Sequence, residues 1–76
     1  MNVNELRLSE QGRIKFIAEV KKEMSLRGWR TKDLAERIGY TKESVYLFFS
    51  NSRIQNKRMA GAICTLFGFN ATEYTN

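Results

Sequence analysis

Apolar residues recur at helical spacing along most of the chain, and short polar breaks cut that pattern into four segments. In the first, Ile14, Ile17, Val20 and Met24 share one stripe, with Lys15, Glu19, Lys21 and Lys22 elsewhere on the cylinder. This predicts a helix over about residues 10–26, with Ser9 as its N-cap and Gly28 as the left-handed residue that closes it. Trp29 stands in the connection, where it reads as a plug for the core. A second helix is predicted over about 31–38, burying Leu34, Ala35 and Ile38 and ended by Gly39. Thr41 is a natural N-cap for a third, whose spacing turns Val45, Phe48 and Phe49 inward. Asn51 and Ser52 break that pattern, asparagine being tolerant of positive φ. A loop of about seven residues then leads to a fourth helix near Asn56, which carries Met59, Ile63, Leu66 and Phe67 at helical spacing and stops before Gly68. Asn70 with Glu73 three residues on reads as a capping box with almost no room for a fifth helix. Residues 1–8 are predicted to be loosely ordered.

Only Gly39, Tyr40 and Thr41 separate the second and third patterns. A break of three residues turns one helix sharply against the next, which is the geometry of a helix-turn-helix, here over about 31–50. When such a unit binds DNA, its second helix is the one that enters the major groove. There is no proline and no long alternating run of Val, Ile or Thr, so the fold class expected is all-α. With 76 residues the chain makes one domain, a compact bundle of four to five helices containing that unit.

Composition narrows the function. An apolar fraction of 42% suits a folded globule and argues against disorder. No histidine and a single cysteine argue against a zinc site or a disulfide framework, and Cys64, inside AICTLF, reads as a small buried residue. No glycine-rich phosphate loop and no nucleophile–base pair is visible, so neither catalysis nor a cofactor is expected. The opening residues MNVNELRLSEQGR lack the apolar centre of a signal peptide, and no stretch approaches the roughly 20 apolar residues of a membrane span. A cytoplasmic protein without membrane contact is therefore expected. The net charge is +5, and its location matters more than its size. Residues 27–58 hold Arg27, Arg30, Lys32, Arg37, Lys42, Arg53, Lys57 and Arg58 against Asp33, Glu36 and Glu43, so the excess coincides with the two-helix unit and the following loop. That is the electrostatic footprint expected of a phosphate-binding face.

The chain resembles the Cro/repressor-type (XRE-like) helix-turn-helix family of phage and bacterial transcriptional regulators. The matching residues are Gly28-Trp29, the Leu34-Ala35 pair, Gly39 four residues on, Val45 six beyond that, and Leu66-Phe67-Gly68-Phe69. They span roughly residues 14–75. The resemblance implies a small regulator that binds double-stranded DNA, with two copies on half-sites about 34 Å apart. It implies bases read by Lys42, Glu43 and Leu47, with Tyr46 on the same arc near the backbone. It implies phosphates held by Arg30, Thr31 and Lys32 at the start of the second helix, by Thr41, and by Arg53, Lys57 and Arg58 after the third. Three features depart from the family. Thr31 stands where a glutamine is frequent, Met24 and Phe49 stand where an arginine and a glutamate often pair, and the fifth helix is cut short.

The chemistry at these positions suits DNA without the family. A lysine such as Lys42 donates to guanine O6 and N7, a glutamate such as Glu43 accepts from cytosine N4, and Leu47 can pack on a thymine methyl. Arg53, Lys57 and Arg58 suit phosphates, which fix register without specifying sequence. Tyr46 and Leu47 leave a second reading open. An exposed Tyr-Leu pair also suits a protein interface, as in an antirepressor that covers a partner regulator's reading helix.

Overall fold

The computed structural model describes residues 4–51 and 53–75. Among the described residues four α-helices follow one another: α1 (Glu10–Arg27), α2 (Thr31–Ile38), α3 (Lys42–Ser50) and α4 (Lys57–Phe67). A single 3-10 turn, Ala71–Glu73, stands where a fifth helix was conceivable. The architecture is all-α, with no strand among the described residues. The Asn70–Glu73 capping box does not close. Asn70 Oδ1 accepts from the Thr72 amide, while the Glu73 carboxylate turns outward to Lys15 Nζ at 3.8 Å.

Local side chains set the helix ends. Ser9, Thr41 and Asn56 cap α1, α3 and α4 by accepting the backbone N–H three residues on. At α2 the carboxylate of Asp33 accepts from the Arg30 N–H at 2.8 Å. Gly39, at φ 76°, ends α2 in the left-handed conformation, which a side chain would strain, and so lets α3 start three residues later. The loop after α3 differs in detail from expectation. Asn51 is extended at φ −111°, and the asparagine with positive φ is Asn56, at 29°. Ser52 lies outside the described residues.

Phe16 is the centre of the core. Its ring meets Phe48, Phe69 and Tyr74 edge-on, with centroids 6.4, 5.8 and 5.2 Å away. These contacts correct the stripe predicted for α1. The buried line is Gly12, Arg13, Phe16, Val20 and Met24, whereas Ile14 is 74% exposed and Ile17 only partly covered. Both lines satisfy helical spacing, and burying the large Phe16 ring decides between them. In α4, Met59, Ile63 and Cys64 are buried as expected, and Ala60 joins them in place of Leu66, which stays exposed. Burial pushes the Cys64 thiol up, and its Sγ lies 3.3 Å from the Phe69 carbonyl oxygen.

The start of the chain is also better held than expected. Met1–Val3 lie outside the described residues, but Leu6 and Leu8 are buried. The Leu6 N–H donates to the Lys57 carbonyl at 2.9 Å, and Gln55 Nε2 donates to the Leu8 carbonyl at 3.0 Å. Alternate leucines in an extended segment thus cover the start of α4. Among the described residues, no helix is long and apolar enough to cross a membrane.

The C-terminal segment returns onto the start of α1 so closely that Gly12 cannot carry a side chain. A Cβ there would sit 1.9 Å from the Tyr74 carbonyl oxygen. Gly12→Ala, a change that favours an exposed helix by about 1 kcal/mol, should instead destabilise this one by about 1–3 kcal/mol in urea unfolding. A stabilised variant would show that residues 70–75 do not pack there.

Candidate nucleic-acid interface

At about 100° per residue, Lys42, Glu43, Tyr46 and Leu47 fall within about 140° of one another around α3. All four are exposed, Tyr46 and Leu47 by 54% each, while Val45 and Phe48 on the opposite side are buried. The buried pair and half-buried Phe49 anchor α3 to the core and leave the outer arc facing outward. Ser50, one turn beyond Tyr46, continues the arc and donates its hydroxyl to the Tyr46 carbonyl at 2.8 Å.

The flanking cations are disposed as follows. Arg30 and Lys32 are exposed at the start of α2, and Thr31 is half-buried between them. Thr31 and Tyr46 line one groove with Lys21, Trp29, Phe49 and Ser50. Arg53 lines a second groove with Ile14, Ile17, Phe49, Ser50 and Gln55, so the two grooves meet at Phe49 and Ser50. Lys57 is exposed at the first position of α4. Arg58 is exposed too, but it lines a third groove with Arg37, Ile38 and Leu66 and shares no lining residue with the other two. Of the seven implied phosphate contacts, Thr31, Arg53 and Arg58 thus line three different grooves. Thr31 adjoins α3 in the first groove, Arg53 adjoins its end in the second, and Arg58 lies beside α2 in the third. Among the described residues, Arg30, Lys32, Lys42, Arg53, Lys57 and Arg58 have no acidic partner. Thr41 has a prior commitment, since its hydroxyl accepts from the Ser44 N–H and donates to Ser44 Oγ at 2.9 Å.

The positions at which the sequence departs from the resemblance, Thr31, Met24 and Phe49, share one groove. Met24 is buried, Phe49 half-buried, and both line the first groove. Lys21 Nζ lies 5.7 Å from the centre of the Phe49 ring, close enough for a cation–π contact. Lys21 adds a cation to this face that helical periodicity assigned to the back of α1. Trp29 is half-buried rather than sealed, with the guanidinium groups of Arg37 and Arg27 at 4.2 and 5.4 Å from its ring centre.

Arg13 is the positioning residue that sequence reasoning missed. It is 6% exposed and lies 4.9 Å from the centre of the Phe48 ring. Its Nη2 donates to the carbonyls of Phe48 and Asn51, and its Nη1 to that of Ile54 at 3.0 Å. One guanidinium thus caps the C-terminus of α3 and ties down the loop that carries Arg53, where a cation also meets the negative end of the helix dipole. Burial pulls its pKa down, although an arginine remains charged in proteins. The signal was available, because Arg13 stands three residues before Phe16 on the line that the aromatic ring buries.

No family model, curated protein or solved structure matches the chain.

Proposed function

We propose that the protein is a small transcriptional regulator that binds double-stranded DNA sequence-specifically. In this reading α2 and α3 form a helix-turn-helix, and α3 enters the major groove, which is about 12 Å wide and admits one helix. The observation that carries it is the exposed arc of Lys42, Glu43, Tyr46 and Leu47 on a helix whose other side is locked into the core, with acid-free cations at Arg30, Lys32 and Arg53 around it. Lys42 and Glu43 read bases, and Leu47 packs against a base methyl. Arg30, Lys32, Arg53 and Lys57 hold phosphates and fix the register. The mechanism is occupancy: a helix seated in an operator blocks or recruits polymerase, and no bond is made or broken. Two copies on adjacent half-sites, in the cytoplasm and without metal or cofactor, complete the proposal, in keeping with the Cro/repressor-type resemblance to phage and mobile-element regulators.

A second reading, a protein–protein module of antirepressor type, is favoured by the exposure of Tyr46 and Leu47 beside the groove containing Phe49 and Trp29. Charge reversal separates the two. Changing Arg53, Lys57 and Arg58 together to glutamate should weaken DNA binding by at least about tenfold in an anisotropy titration. It should leave intact a partner complex resting on Tyr46 and Leu47. Unchanged DNA affinity would remove Arg53 and Lys57 from the phosphate-binding set.

A further inference from the structure

The outer face of α3 runs short of hydrogen-bonding groups after its first turn. Lys42 and Glu43 stand in that turn, followed along the same arc by Tyr46 and Leu47, each 54% exposed. The hydroxyls at the two ends of the helix are committed, Thr41 to Ser44 Oγ at 2.9 Å and Ser50 to the Tyr46 carbonyl at 2.8 Å. From Lys42 to Leu47 the helix rises about 7.5 Å, or about two base-pair steps of 3.4 Å. Whatever Leu47 meets in the groove must therefore be recognised without a hydrogen bond from it. The apolar group on the major-groove edge is the C5 methyl of thymine, and a cytosine methylated at C5 carries the same group in the same place.

Resting on the DNA-binding reading, we infer that the second turn of α3 recognises the 5-methyl group of a pyrimidine rather than its hydrogen-bonding edge, so that 5-methylcytosine substitutes for thymine opposite Leu47. Leu47 has neither donor nor acceptor and cannot distinguish thymine O4 from cytosine N4. Glu43, one turn earlier on the same line of the helix, adds an acceptor that suits the cytosine amine and faces thymine O4 unfavourably. Tyr46 supplies a ring beside Leu47, which widens the apolar surface available to a methyl. The consequence is a regulator whose site is created or strengthened by cytosine methylation.

The test uses the full chain and a site selected from random duplexes. Each thymine of that site is replaced in turn by deoxyuridine, and each T·A pair by a C·G or a 5-methylcytosine·G pair, with affinity read by fluorescence anisotropy. Removing the methyl opposite Leu47 should lower affinity about 4-fold, and methylating cytosine there should raise it by about the same factor. Leu47→Ala, at an exposed position, should erase both differences while the far-UV circular dichroism stays unchanged. If uridine and thymine duplexes bind alike, or if the methyl effect survives Leu47→Ala, methyl reading is overturned and DNA binding stands. If no duplex binds even at low salt, both readings fall together.

Discussion

Replacing Arg13 with methionine should lower the stability of the fold by about 3 kcal/mol, and lysine in its place should not restore it. Methionine keeps the aliphatic stem but removes the guanidinium, and with it the cation that lies 4.9 Å from the centre of the Phe48 ring. Without it, the carbonyls of Phe48, Asn51 and Ile54 lose their shared donor, that of Phe48 at a buried position and the other two at half-buried ones. A lysine ammonium is a single point and cannot span three carbonyls as a planar fork does. In a domain of this size, each kcal/mol corresponds to about 4–8 °C, so Tm should fall by about 12–24 °C in thermal unfolding followed by circular dichroism. Ile14→Ser, one residue away on the exposed side of α1, serves as the control and should stay within about 0.5 kcal/mol. A Tm shift no larger for Arg13→Met than for that control would show that the guanidinium does not hold the end of α3. Because the same group tethers the loop, hydrogen exchange of the amides of Arg53 and Ile54 should also quicken in the variant.

Helix ends were legible because the chemistry that sets them is local. Ser9, Gly28, Gly39 and Thr41 act on neighbours within one turn, and α1, α2 and α3 begin or end beside them. The outward arc of α3 was legible for a related reason, since Val45 and Phe48 fix which side faces the core. The roll of α1 was not. Ile14 and Ile17 are more apolar than Arg13, and what turns Arg13 inward lies 35 to 41 residues further along the chain. Leu6 and Leu8 give no signal in the sequence for the same reason, because their partner is the start of α4 and their segment has no helical period. The separation of Arg58 from Arg53 depends on how α4 sits against α2, and nothing in the run of charges encodes it. Short-range rules therefore recovered the elements and the candidate reading face. The side chains that aim that face were set by contacts distant in sequence.

The most direct test of DNA binding through this face is its salt dependence on a mixed-sequence duplex, measured by fluorescence anisotropy at about 50 and 200 mM salt. Each phosphate neutralised contributes about 0.9 to the slope of log affinity against log salt. Five contacts, from Arg30, Lys32, Arg53, Lys57 and Arg58, give a slope of about −4.5 and a loss of about 500-fold over that range. Four contacts, with Arg58 turned into its own groove beside Arg37, give about −3.6 and a loss of about 150-fold. A slope between these limits, reduced by about 0.9 when Arg53 is changed to alanine, is the result that DNA binding through this face predicts. No binding at 50 mM salt, or an affinity indifferent to salt, would contradict it and leave Tyr46 and Leu47 to a protein partner.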